Sequence, residues 1–235
     1  VPLERYENPR RADWPQADFV VGNPPFIGCK KMRAALGDGY VDALRGAWTD
    51  VPESADFVMY WWHKSALLAL SKQTRRFGFI TTNSLTQIFN RRVVSSQLDA
   101  GLALAFAVPD HPWVDAADGA AVRISMTVGE ASGAEGKLFL VNAEQDAGGE
   151  GVEVSGCERN GRIFADLSIG ANIAGAGPLL ANSRLTSNGV MLAGAGFIVS
   201  PEEATALGLG RIAGLEAHVR PYRNGKDLLD APRGA

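Results

Sequence analysis

Apolar residues gather in short runs separated by longer amphipathic or wholly apolar stretches. Asp18-Phe19-Val20-Val21-Gly22 is a run of the buried-strand kind, and it stops at Asn23-Pro24-Pro25-Phe26. Residues 1–17 before it are polar and proline-rich and read as a loop. Residues 30–47 read as a helix broken near Gly37 to Gly39. From Ala55 to Ser71 the chain is apolar nearly all round, Tyr60-Trp61-Trp62 included, which predicts a buried helix. Ser54 is a good N-cap for it, with Asp56 favourable in the first turn. Phe77-Gly78-Phe79-Ile80-Thr81-Thr82 predicts a second buried strand, and Asn83-Ser84 opens a helix through about Leu98. Leu102 to Val108 reads as a third strand, ending in the loop-like Pro109-Asp110-His111-Pro112-Trp113. Ala121 to Val128 reads as a fourth, with Arg123, Ser125 and Thr127 alternating against Val122, Ile124, Met126 and Val128. Lys137 to Asn142 is the fifth. Strands alternating with helices predict an α/β layer protein with a largely parallel sheet.

Beyond about residue 143 the pattern changes. Gly, Ala and Asn become common and long periodic apolar runs vanish, which places a domain boundary between 143 and 165. Residues 1–150 and 151–235 are the two parts expected. The second holds short strand-like runs at Val190 to Leu192 and Phe197 to Val199. A capped helix starts at Ser200-Pro201-Glu202-Glu203. No internal repeat is evident.

Composition narrows the function classes. Of the 235 residues 46% are hydrophobic and 21% charged, as in an ordinary globular protein. No apolar run reaches the length of a membrane span, and Val1-Pro2-Leu3-Glu4-Arg5 is no signal peptide. The expected compartment is the bacterial cytoplasm, with no membrane partner. A first residue other than Met reads as the start of a fragment. Cys29 and Cys157 stand far apart without metal-ligand spacing and read as reduced thiols. His63, His111 and His218 are too few and scattered for a zinc site. A net charge of −3 excludes a protein that coats nucleic acid without specificity, but leaves room for a local basic face. Lys30-Lys31-Met32-Arg33, Arg75-Arg76, Arg91-Arg92, and Arg220 with Arg223 and Lys226 are the basic spots, each readable as a solvated surface alone.

Chemistry concentrates in Asn23-Pro24-Pro25-Phe26, at the carboxyl end of an apolar strand, where an open α/β sheet places its ligands. Two prolines in series fix φ twice and remove two donors, leaving carbonyls that point outward with little freedom. Asn23 adds a side-chain acceptor. Rigid acceptors side by side suit a group with two N–H donors, such as an exocyclic amine, and Phe26 offers a flat face to a ring. Adenine's amine is a poor nucleophile because its lone pair is delocalised. Acceptors that grip both N–H bonds favour a more tetrahedral nitrogen and free that pair, so orientation and electrostatics do the chemistry without a strong base. The base must first leave the duplex. A proline-rich turn closing a strand is the plain alternative for the tetrapeptide.

The same segment resembles motif IV of the amino-methyltransferases. Phe77-Gly78-Phe79-Ile80-Thr81-Thr82-Asn83-Ser84 looks like the next core strand of that family. Ala107-Val108-Pro109-Asp110-His111-Pro112-Trp113, followed by Ala120-Ala121-Val122-Arg123-Ile124, looks like its motif VIII. Order and spacing are similar to MmeI-like adenine-specific (N6) DNA methyltransferases, in which a specificity domain follows the catalytic one. Arg220-Pro221-Tyr222-Arg223-Asn224-Gly225-Lys226-Asp227-Leu228 resembles the start of such a domain. The resemblance covers most of the chain. It implies the later strands of a Rossmann-like class I methyltransferase sheet, followed by the start of a mixed α+β target-recognition domain. It implies S-adenosylmethionine as cofactor, double-stranded DNA as partner, and a role in restriction-modification or phage defence. Asn23 and Pro24 would bind the amine, with Pro25 in the same catalytic turn, and Phe26 would stack on the base. Trp113 is the candidate to close the other face, though a loop tryptophan packing on the core reads nearly as well. Lys30, Lys31, Arg33 and His111 are the candidate substrate contacts, with a local hydrogen bond the other reading of His111. Trp61 and Trp62 read as core.

The resemblance also implies a glycine-rich loop and an acidic residue for the cofactor, both upstream of Asn23. The 22 residues there contain no such loop. Gly175-Ala176-Gly177-Pro178 and Gly194-Ala195-Gly196-Phe197 are the downstream candidates, and neither has a strand before it and a helix after it. The expectation is a chain lacking the N-terminal part of its parent polypeptide, which alone binds cofactor weakly or not at all. Three functional readings stand: adenine methylation in DNA; methylation of a ribosomal RNA guanine or a protein glutamine, which present a similar N–H pair; and a non-catalytic DNA-binding remnant.

Overall fold

The computed structural model describes residues 4–113, 122–133, 135–146, 152–177, 179–182, 185 and 194–222. The first compact unit runs to Ala176 and the second begins at Gly177. The first is built on six strands: β1 (Phe19–Gly22), β2 (Arg76–Thr82), β3 (Ala103–Trp113), β4 (Val122–Glu130), β5 (Gly136–Asp146) and β6 (Val152–Gly161), in the spatial order β1-β2-β4-β3-β5-β6. Helices α1 (Met32–Leu36), α2 (Asp38–Ala47) and α3 (Val58–Leu70) lie between β1 and β2, and α4 (Ile88–Asp99) lies between β2 and β3. This is the α/β layer arrangement that the strand–helix alternation predicts, with the Rossmann-like sheet that the resemblance implies.

It is not, however, a largely parallel sheet. β1 pairs parallel with β2, and β3 with β5, whereas β2–β4, β3–β4 and β5–β6 are antiparallel. The reason lies in the connections. A parallel neighbour needs a long crossover, and α1 to α3 supply one between β1 and β2. No described helix separates β3 from β4 or β5 from β6, and these pairs are antiparallel. β5 and β6 also carry the sheet through the composition shift at 143–165, on strands whose exposed side is polar.

Register shows which face is covered. Val20 and Gly22 of β1 pair with Phe77 and Phe79, while Phe19 and Val21 pair with Arg76 and Gly78. Phe77, Phe79, Thr81, Ser125 and Thr127 are all buried and share one face. Helix α3 covers that face: Trp62, fully buried, meets Phe77 edge-on at 5.3 Å. Burying a ring of this size contributes about 1.5–3 kcal/mol. Along β4 the hydroxyl side faces α3, while Ile124 on the opposite side is also fully buried. The hydroxyl side is inside, because Trp62 Nε1 donates to Thr127 Oγ1 at 3.0 Å and Ser125 Oγ donates to the Pro109 carbonyl at 2.6 Å. Met126 and Val128 face the other side, half-buried.

Several local expectations change. β1 is no buried strand: Phe19 is 55% and Val21 83% exposed, because β1 is an edge among the described residues and both side chains leave the covered face. α3 begins at Val58, not Ala55, and Ser54 does not cap it; Phe57 holds the cap position without a side-chain bond. The helix expected from Asn83 opens instead as a 3-10 turn, Asn83–Thr86, and α4 starts after an extended Gln87. β3 does not end at Val108. It continues through a register shift to Trp113, which pairs with Val122. Of the two tryptophans read as core, Trp62 is fully buried and Trp61 half-buried against the same cluster.

The second unit contains α5 (Pro201–Ala206), opened by the expected capping box: Ser200 Oγ accepts from the Glu203 N–H at 3.2 Å and Glu203 accepts from the Ser200 N–H at 2.8 Å. Phe197 belongs to a 3-10 turn, Ala195–Phe197, rather than to a strand, since no described segment pairs with it, and Gly194 precedes the turn while Gly196 lies inside it. Val190 to Leu192 and Arg223 to Leu228 lie outside the described residues. No described helix is long and apolar enough to cross a membrane.

Candidate functional site

β1, β2 and β3 all point their carboxyl ends the same way, because β4 runs against both β2 and β3. That end of the sheet gathers Asn23 after β1, Asn83 after β2, Asp110 to Trp113 on the last turn of β3, and Arg123 at the start of β4. The motif IV-like and motif VIII-like segments therefore share one edge of the molecule. Three strand spacings separate the ends of β1 and β3, roughly 14 Å.

The Asn23 turn is an open shelf. Asn23 and Pro25 are exposed, Pro24 is buried and Phe26 half-buried. Pro25 does not offer its carbonyl outward: it accepts from the Ile27 N–H at 3.1 Å, closing the turn on itself. No described backbone donor takes up the Pro24 carbonyl, and no described group bonds the Asn23 amide. Of the acceptors expected there, Asn23 Oδ1 and the Pro24 carbonyl are the pair left open. The described cavities lie elsewhere. One of about 410 Å³ sits against Leu98, Leu102 and Ile163, and a groove of about 150 Å³ lies among Trp14, Tyr40, Trp48, Phe57, Trp61 and Lys64.

What holds the shelf in place comes from the chain's next two segments. Phe57 N–H donates to the Ile27 carbonyl at 2.9 Å, and Cys29 N–H donates to Asp56 Oδ1 at 2.9 Å. Asp56 Oδ2 accepts from Ser84 Oγ at 2.8 Å and Asn90 Nδ2 at 2.7 Å, while the Asp56 N–H donates to Asn90 Oδ1 at 2.8 Å. Thr82 Oγ1 lies 2.5 Å from Ser84 Oγ; since the Ser84 proton goes to Asp56, Thr82 is the donor. The sequence pattern gives Asp56 and Ser84 only places at helix starts and gives Asn90 no role. Asp56 looks there like a first-turn acid, and nothing in the spacing pairs it with Asn90.

The remaining candidates divide. Trp113 is half-buried on β3, at the carboxyl end of the sheet. His111 Nδ1 donates to the carbonyl of its neighbour Pro112 at 2.7 Å, the local bond that the sequence allows for. Lys30 and Lys31 are exposed just past the shelf. Arg33 is exposed but engaged: it donates to Asp38 at 2.9 Å and Asp42 at 2.8 Å, and these bonds raise its pKa. A further arginine missed by the sequence pattern, Arg123, donates to Asp110 at 2.6 Å and Glu144 at 2.7 Å. Hydrogen bonds to Glu144 and then Asp110 push its pKa well up, so it is a fixed cation on this edge. Asp110 Oδ1 also takes Asn83 Nδ2 at 3.4 Å.

The family's methyl donor would need a glycine turn between a strand and a helix. Gly175 closes a 3-10 turn, Ile173–Gly175, and Gly196 lies inside another, Ala195–Phe197; among the described residues neither turn has a strand leading into it and a helix leading out. The described residues do not fit a cofactor cradle. Nor do any described His, Cys, Asp and Glu side chains group as metal ligands.

Comparison with known proteins identifies a family and solved structures of similar fold. The family described as MmeI, DNA-methyltransferase domain, matches residues 4–140. The solved structure of the Type IIL restriction-modification enzyme MmeI in complex with DNA is similar, with a TM-score of 0.51 and 24% identity. That match covers 66% of this chain and 20% of the solved one, so the chain spans about a fifth of that enzyme's length. No curated protein matches.

Proposed function

Since the chain belongs to the MmeI DNA-methyltransferase domain family, matched over residues 4–140, we propose that it carries the target-base half of an adenine N6-methyltransferase acting on double-stranded DNA within a restriction-modification system. The observation that carries this reading is the pair of acceptors, Asn23 Oδ1 and the Pro24 carbonyl, left open on a rigid turn at the carboxyl end of β1. An extruded adenine stacks on Phe26, with Trp113 approaching from β3. Its amine donates one N–H to each acceptor. That grip turns the nitrogen lone pair out of conjugation and aims it, with no general base required. The prolines keep the backbone of the turn, and with it the Pro24 carbonyl, in place before the base arrives, so little backbone reorganisation accompanies binding.

S-adenosylmethionine is the methyl donor that the family implies. Its cradle comes from residues other than those described, and the exposed edge and open face of β1, with Phe19 and Val21, are where further strands and helices of a class I sheet would join. No step through the donor is derived from this chain.

The test uses the full reading frame that encodes this chain, beside an Asn23→Ala variant. Each is incubated with tritiated S-adenosylmethionine and unmethylated genomic DNA, and the labelled nucleoside is identified after digestion. Label in N6-methyladenosine, lost in the variant, is the expected result. Label on RNA or protein instead would overturn the DNA assignment, and no label at all would leave a DNA-binding role without turnover.

A further inference from the structure

We infer that Asp56 is the positioning residue of the amine-binding shelf, acting with Ser84 and Asn90 as a clamp that locks the turn after β1 to the turn after β2. The inference rests on the reading of Asn23 and Pro24 as the target-amine acceptors.

An aspartate just before a helix ordinarily accepts from the first N–H groups of that helix. Asp56 does not. α3 begins without a side-chain cap, and both Asp56 oxygens turn outward to other segments. Oδ1 takes the Cys29 N–H at 2.9 Å; Oδ2 takes Ser84 Oγ at 2.8 Å and Asn90 Nδ2 at 2.7 Å. Asn90 is 3% exposed and answers by accepting the Asp56 N–H at 2.8 Å, so the two side chains fix each other's orientation. Asn90 Nδ2 also reaches the Ser84 carbonyl and Oγ, both at 3.1 Å. Phe57, the next residue, holds the Ile27 carbonyl. Ile27 and Cys29 are therefore pinned from one side, three and five residues beyond Pro24.

This arrangement matters because, beside the Phe57–Ile27 bond and the packing of Pro24 and Ile27, the described side-chain bonds that tie the shelf to other segments all run through Asp56. Asn23 is exposed, and the turn's own internal bond, Ile27 N–H to the Pro25 carbonyl, shapes it without anchoring it. A carboxylate shared by three donors supplies the anchor with charge-assisted bonds. It touches neither base nor donor; it sets where the Pro24 carbonyl points.

The experiment compares native protein, expressed from its full reading frame, with Asp56→Ala, Asp56→Asn, the double exchange Asp56→Asn/Asn90→Asp, Asn23→Ala, and Asn23→Ala/Asp56→Ala. Steady-state methylation of duplex DNA and amide hydrogen exchange over residues 27–31 are measured on each. A shelf displaced by an ångström costs about 100-fold in kcat, so Asp56→Ala should lose that much. Its duplex KM should stay within about threefold of native. Asp56→Asn should lose similarly, because the introduced amide faces the Ser84 and Asn90 donors. The double exchange restores a complementary donor and acceptor and should recover about tenfold of the loss. Asn23→Ala/Asp56→Ala should be no slower than Asn23→Ala alone. Residues 27–31 should exchange about tenfold faster in Asp56→Ala. Additive losses in the double alanine variant, or a rise in KM with kcat intact, would overturn the positioning role. If native protein methylates no DNA, the reading of the site fails instead, and the exchange arm still decides the clamp: unchanged exchange at residues 27–31 sinks it.

Discussion

Trp62 Nε1 donates to Thr127 Oγ1 at 3.0 Å in the fully buried layer between α3 and β4. A tryptophan this deep requires an acceptor, and the hydroxyl on β4 supplies it. Thr127→Val keeps the shape and removes the acceptor. The orphaned indole N–H then costs about 1–3 kcal/mol. Denaturant unfolding should show the midpoint falling with the slope unchanged. An unchanged midpoint would mean that the indole finds another partner.

Gly129 sits opposite Phe77 in the β2–β4 register, and a Cβ there would run into the Phe77 ring. The ring cannot retreat, since Phe77 is packed against Trp62 and Phe79. Gly129→Ala should destabilise by about 1–3 kcal/mol through overpacking. Thermal melting checks this, and a Tm equal to native would show that the layer is looser than its geometry.

Acid stability should carry the signature of Asp50. Burial alone would raise its pKa. The hydrogen bond from His63, the charge of that imidazole once protonated, Asp50's own backbone and Arg11 together hold it below its ordinary value. A carboxyl depressed on folding stabilises the native state above its unfolded pKa and loses that contribution as pH falls through the folded one. Asp50→Asn should therefore flatten the stability profile from the usual carboxylate range downward, through Asp50's depressed pKa. Urea unfolding in steps from pH 6 to pH 2.5 tests it; a loss of stability on acidification in the variant equal to that of native would contradict the assignment.

Replacing Trp113 by alanine probes the second aromatic face. Base–aromatic stacking contributes about 1–3 kcal/mol, so kcat/KM on duplex DNA should fall between several-fold and about 100-fold. Parity with native would return Trp113 to a packing role on β3.

The 235-residue chain by itself should show no saturable S-adenosylmethionine isotherm in the micromolar range by calorimetry. Among the described residues, neither glycine turn has a strand leading into it and a helix leading out. A saturating micromolar curve would place a cradle within this chain.

The core strands and the Asn23 turn were readable because each rests on local signals. Val20, Phe77 and Phe79 mark strands by apolar runs, and two consecutive prolines admit few backbone paths. Ser200 and Glu203 carry a complete capping box within four residues, and it forms as written. The missed features are non-local. Asp56 meets Asn90 across 34 residues, and propensity assigns each only to its own helix. The inward hydroxyls of Ser125 and Thr127 depend on Trp62 and Pro109, which no period-2 pattern contains. The extension of β3 to Trp113 runs through two prolines, residues that ordinarily argue against a strand, and a register shift accommodates them.

β1 has a consequence for handling the protein. It is a four-residue strand whose outer edge has no partner among the described residues, and it carries Val21 83% exposed beside Phe19 with no lysine or proline of its own to discourage a neighbour. Unpaired edges of this kind are templates for another copy's strand. In concentrated solution, isolated chains should self-associate through β1, edge to edge. A charged residue at position 21 would be the simplest way to keep them monodisperse.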